Sequence, residues 1–87
     1  MYDNTRALAE NKLIILYLIE KIEIPLSNSE ICQFALEKNL MDYFSVQQYL
    51  SELVESGLLE MATENNSTRY TITSDGEDTL NYFIKHI

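Results

Sequence analysis

Glycine, proline, cysteine and histidine are all scarce in this 87-residue chain: two, one, one and one, respectively. With only Gly57 and Gly76 there is no glycine-rich loop to cradle a phosphate, and one Cys with one His provides no metal-ligand spacing. Ser, Asp and His occur without a nucleophile motif, so no enzyme and no cofactor are expected. His86, with no Cys, Asp or His beside it, has no ligand role, and Cys32 cannot close an internal disulfide. Long apolar runs are missing as well. The longest, Leu13 to Ile19, is far short of a bilayer crossing, so no membrane partner is expected. Tyr-Asp-Asn-Thr after Met1 forms neither a basic n-region nor a cleavage site, which makes the cytoplasm the expected address. The glycosylation-like triplets that begin at Asn65 and Asn66 are incidental there.

Positive charge is the most consequential shortage. Fourteen acidic residues stand against six basic ones, a formal net charge of -8. No Lys or Arg lies between Lys38 and Arg69, whereas Asp42, Glu52, Glu55, Glu60 and Glu64 all do.

What the chain does have is apolar content, 46%, enough for one domain over residues 1–87 with a single modest core. A helix is expected from about Asn4 to Ile22, with Leu8, Ile15, Leu18, Ile19 and Ile22 on one stripe. Leu13, Ile14, Leu16 and Tyr17 fill the other directions, so this helix is apolar nearly all round and should meet a second partner besides the core. Pro25 ends it and favours a short extended segment. Ser27-Asn28-Ser29-Glu30 then reads as a capping box opening a second helix that carries Ile31, Phe34, Ala35 and Leu36 inward. Ser45-Val46-Gln47-Gln48 has the same pattern and places a third helix start near Ser45. Val46, Leu50, Leu53 and Val54 form its inner side, and Gly57 suits the left-handed turn that ends it. Ser45, Gln48, Glu52 and Glu55, flanked by Phe44, Gln47 and Ser51, form its outer side. The period then becomes twofold: strands at Leu58–Thr63 and Arg69–Thr73 are joined by the turn-formers Glu64 to Thr68. Ser74-Asp75-Gly76-Glu77 starts a last helix, with Leu80, Phe83, Ile84 and Ile87 on its apolar face. Tyr2, Tyr17, Tyr43, Tyr49, Tyr70 and Tyr82 fit amphipathic rim positions.

The expected class is thus α+β and mostly α, in the order helix, short strand, helix, helix, hairpin, helix. LSELVESGLLE, a hairpin and RYTITSDGEDTL together resemble the third helix, wing and closing helix of bacterial winged helix-turn-helix regulators of the PadR-like and MarR-like groups. LAENKLIILYLIEKIEIPLSNSEI with NLMDYFSVQQYLSELVESGLL is similar, more narrowly, to an uncharacterised bacterial family described as transcriptional regulators. The likeness covers almost the whole chain. In that family a further segment follows the winged domain, which makes this chain a short member or the amino-terminal domain of a longer protein.

The resemblance implies double-stranded DNA as partner. The third helix would enter the major groove through Phe44, Ser45, Gln47, Gln48, Ser51 and Glu52, and the wing would contribute Asn65, Asn66, Ser67, Thr68 and Arg69. Gln48 suits a bidentate pairing with adenine. A homodimer is expected, with Leu13, Ile14, Leu16, Tyr17, Phe83 and Ile87 at its interface. The alternative is an acidic winged-helix module that binds protein and not DNA. Placement of the cations separates them: convergence of Arg69, Lys38, Arg6 and Lys12 on the side of Gln48 favours DNA, and scatter favours the protein module.

Overall fold

The computed structural model describes the backbone of residues 4–85 and the side chains of residues 9–84. Helix α1 (Asn4–Ile22) leads into strand β1 (Leu26–Ser27), then α2 (Asn28–Glu37), α3 (Tyr43–Glu55), strands β2 (Leu59–Glu64) and β3 (Ser67–Ile72), and α4 (Ser74–Lys85). The sheet is antiparallel in the order β1-β3-β2. Helices α1 to α3 with a β2–β3 wing form the winged-helix arrangement, closed by α4 against α1. No helix among the described residues is long and apolar enough to cross a membrane.

The core is built by the periodic residues of each element. Helix α1 supplies Ile15, Leu16 and Ile19, α2 supplies Ile31, Cys32 and Ala35, and α3 supplies Val46, Tyr49, Leu50 and Leu53. Leu26, Leu59, Tyr70 and Leu80 complete it. Leu16, expected at a dimer interface, is therefore a core residue at 1% exposure. Leu36 is exposed and Cys32 takes the inward place expected for it, because positions 28, 31, 32 and 35 share one helical face. Tyr49 and Tyr70 are buried, not rim residues; the Tyr49 hydroxyl accepts from Asn11 Nδ2 at 3.3 Å. Ile87 and His86 lie outside the described residues, as do the side chains of Arg6 and Lys85.

Local chemistry sets the element ends. The capping box at Ser27 forms as expected: its hydroxyl accepts from Glu30 N at 3.1 Å, and Glu30 Oε1 accepts from Ser27 N at 2.9 Å. For α3 the cap is Asp42 and not Ser45; Asp42 Oδ1 accepts from Ser45 N at 2.8 Å, so Tyr43 and Phe44 already belong to the first turn. Gly57 takes φ +80 after α3, in the left-handed region its sequence position suggests. The hairpin is tighter than Glu64–Thr68. Glu64 pairs with Ser67, leaving Asn65 (φ 50) and Asn66 (φ 64) as a two-residue turn, for which asparagine tolerates the positive φ that type I′ geometry needs at both positions. Thr73, one residue before the expected Ser74, caps α4: its Oγ1 accepts from Gly76 N at 3.0 Å and donates to Gly57 O at 2.7 Å.

Candidate nucleic-acid interface

Three elements converge on one groove. Asn28 and Ser29 come from the first turn of α2, Tyr43 and Gln47 from α3, and Asn66, Ser67 and Thr68 from the wing, with Met61 and Tyr70 behind them. None of these side chains carries a charge. Strand alternation places Thr68 and Tyr70 on this side of the wing and Arg69 on the other.

The groove wall is held by a closed set of hydrogen bonds. Asn28 Nδ2 donates to Gln47 Oε1 at 2.9 Å and to the Tyr70 hydroxyl at 3.3 Å; Gln47 Nε2 donates to Asn28 Oδ1 at 2.7 Å and to Cys32 Sγ at 3.0 Å. The Cys32 thiol donates to Asn28 Oδ1 at 3.4 Å, and burial pushes its pKa up, partly offset by the bond from Gln47. Both atoms of the Gln47 amide are thus engaged inside the protein. Gln47 joins α2 to α3 instead of offering a free amide outward, a pairing that periodicity on α3 alone does not reveal.

The other residues named for DNA contact do not all share that side. Phe44 is 82% exposed at the start of α3, and Gln48 and Ser51 follow it on the outer face. Ser45 is half-buried. Gln48 Nε2 donates to Glu52 Oε2 at 3.1 Å, and Glu52 Oε1 in turn pairs with Lys12 Nζ at 2.8 Å. Asn65 and Asn66 form the exposed wing tip. Arg69 is turned away, its Nη1 3.3 Å from Pro25 O and 3.7 Å from Glu30 Oε1.

Of the described cations only Lys12 stands beside Gln48, sharing the Glu52 carboxylate with it, so they do not converge there. Lys12 is spent on Glu52 and Arg69 on Glu30, Lys21 lies 5.7 Å from the centre of the Tyr17 ring, and Lys38 is at the far end of α2, about 15 Å of helix from Ser27. Helix caps and the Lys12 pairing restrain three carboxylates on α2, at the start of α3 and on α3. Glu30 is held below its usual 4.5 by the bond from the Ser27 backbone, with smaller help from the Ser27 side chain and Arg69. Asp42 is held below 3.8 by the bond from the Ser45 backbone, and Glu52 below 4.5 by hydrogen bonds from Lys12 and then Gln48. Each pKa is lower folded than unfolded, so each group adds stability that is complete above its unfolded value and lost as pH falls through its folded value. Thermal midpoints measured from pH 6 to pH 2.5 should be level down to about pH 4.5 and then decline. A midpoint unchanged at pH 3 would remove the caps and the Lys12–Glu52 pair from the stabilising set.

Among the described residues no group of three His, Cys, Asp or Glu side chains is placed to hold a metal. On a separate face, α1 and α4 leave an apolar groove lined by Leu13, Ile14, Tyr17, Leu80, Phe83 and Ile84. It contains four of the expected interface residues, Leu13, Ile14, Tyr17 and Phe83; Leu16 lies beneath it in the core.

Comparison with known proteins bears on this geometry in two ways. The family model described as Domain of unknown function (DUF4364) matches residues 11–87. A solved structure reported for the DNA recognition and protein interaction domains of HOP2, and for its homologous DNA pairing, superposes with a TM-score of 0.66 at 17% identity, covering 72% of this chain and 98% of that one. At that identity the likeness is one of fold. No curated protein matches the chain.

Proposed function

The chain belongs to the family described as Domain of unknown function (DUF4364), and from its winged-helix fold and neutral groove we propose that it is a DNA-binding transcriptional regulator that works as a homodimer. The observation that carries this reading is the absence of charge from the groove. In a chain of net charge -8, the surface where α2, α3 and the wing meet consists of amides, hydroxyls, aromatic rings and the Met61 thioether. Such groups serve duplex DNA directly, since Ser, Thr, Asn, Gln and Tyr side chains and helix amino termini all bond phosphate oxygens. Ser29, Ser67 and Thr68 are the candidates for that role, and Phe44, Gln48 and Ser51 for the base edges. A fold shared with a structure reported for DNA recognition, that of HOP2, supports the DNA reading.

By placement alone the described cations favour the protein-binding module; the carboxylate-free groove and the fold shared with a DNA recognition domain support DNA instead, with binding of a different character. Phosphates are met by neutral donors, so few counterions are released and affinity depends weakly on salt. Dimerisation compensates by doubling the contacts. Two chains of this charge repel each other, and the uncharged α1/α4 groove is a surface where a second copy can approach without opposing carboxylates; an isologous contact brings each groove against its own equivalent.

Retention of a random-sequence duplex pool on the immobilised protein, measured from about 50 to 200 mM salt, tests the proposal. The expected result is sequence-selective retention whose salt slope corresponds to roughly two or three released counterions, well under the 6 to 10 contacts of strongly basic binders. Absence of retention at about 50 mM salt would overturn DNA binding. The acidic protein-binding module would then be the better account.

A further inference from the structure

Building on the DNA reading above, we infer that Phe44 sets base preference by packing against the 5-methyl group of thymine in the major groove. Asp42 caps α3, which puts Phe44 in the first turn, the part of a recognition helix that faces base edges. Its ring is 82% exposed, more than any other large apolar side chain among the described residues. It does not stand alone. Tyr43 meets it edge to face at 5.7 Å between ring centres and also lines the neutral groove, where Met61, itself exposed, faces the same space.

The neighbouring hydrogen-bonding groups make an apolar contact the stronger reader. Both atoms of the Gln47 amide are committed to Asn28 and Cys32, and the Gln48 amide nitrogen donates to Glu52. Gln47 is thus unavailable, and Gln48, with one of its two N–H donors on Glu52, must turn its remaining N–H and carbonyl to adenine or give that bond up. Phe44 requires no such exchange. Thymine is the one base that presents an apolar group in the major groove, and phenylalanine is among the side chains that pack on it. With phosphate contacts left to neutral donors, this burial of ring and methyl carries a larger share of the affinity than it would in a basic protein.

The test replaces the methyl group alone. A duplex pool enriched on the wild-type protein is resynthesised with uracil in place of thymine, and both forms are bound by wild type, Phe44→Ala and Phe44→Leu. Wild type should hold the thymine pool about threefold to fourfold better for each methyl contacted, the factor expected for burying one such carbon. Phe44→Ala should bind the thymine pool more weakly and treat both pools alike, and Phe44→Leu should keep part of the preference. Equal binding of the two pools by wild type, or a thymine preference that survives in Phe44→Ala, overturns the inference while leaving DNA binding intact. Failure of wild type to hold either pool at about 50 mM salt overturns both together.

Discussion

Replacing Gly76 with alanine is expected to destabilise the protein by about 3 kcal/mol or more, lowering the thermal midpoint by on the order of 15 °C in a domain of this size. The first turn of α4 is strapped onto the start of the wing: Thr73 N donates to Leu58 O at 3.1 Å and Thr73 Oγ1 to Gly57 O at 2.7 Å. One turn further on, Gly76 is buried directly over the same peptide. A Cβ there would run into Leu58 O and sit 2.7 Å from Ile72 Cγ1 and 3.1 Å from Leu58 C. The isoleucine can rotate aside, but the carbonyl is backbone already engaged by Thr73. Relief therefore requires α4 to lift from the wing, which breaks the cap. Gly57→Ala provides the comparison. Nothing lies within 4 Å of its added Cβ, so the cost is only that of an alanine at φ +80, about 1 to 2 kcal/mol. Urea unfolding of both variants checks the order, and a Gly76→Ala protein as stable as Gly57→Ala would contradict the close approach.

These two glycines show what a sequence can disclose. Gly57 follows a helical stripe and precedes a twofold one, so its role at a helix end is visible locally. Gly76 looks like one member of a capping pattern, and the peptide that excludes its side chain is 18 residues away in the chain. The same division holds elsewhere. Ser27 and Glu30 cap each other across three residues, and the pattern is sufficient. At α3 two patterns overlap, Asp42 with Ser45 and Ser45 with Gln48, and only the first is used, which shifts Tyr43 and Phe44 into the helix. The wing was legible as a hairpin, while its register depended on Asn65 and Asn66 both adopting positive φ. At the candidate site, Gln48, Ser51 and the wing tip are exposed as periodicity suggests. Gln47 and Arg69 are diverted by partners 19 and 44 residues distant, Asn28 and Pro25. Net charge shows the same limit: -8 is a property of the composition, but the pairing of Lys12 with Glu52 and Arg69 with Glu30 is a property of the fold.

Leu16→Ala should cost about 2 to 5 kcal/mol and leave the state of assembly unchanged, because the side chain lies wholly in the core and not on the groove above it. Helix α1 is apolar nearly all round, and composition alone cannot tell which of its residues turn inward. Packing decides it. Ile15, Leu16 and Ile19 are buried against α3 and the sheet, while Leu13, Ile14 and Tyr17 rise beside Phe83 and Ile84 of α4. Removing three heavy atoms from Leu16 leaves a void that close-packed neighbours cannot fill, and in a domain whose total stability is on the order of 5 to 15 kcal/mol that loss approaches unfolding at ordinary temperature. Phe83→Asp makes the opposite change. Its ring is 43% exposed, so a carboxylate there is solvated in the monomer, but an isologous interface would bury it opposite its twofold equivalent. Light scattering with urea unfolding separates the two effects: Leu16→Ala should lower the midpoint and keep a mass near double the 10.1 kDa chain, and Phe83→Asp should keep the intrinsic fold and halve the mass. A Phe83→Asp protein that stays dimeric would move the interface off the α1/α4 groove, and a Leu16→Ala protein of full stability would contradict its place in the core.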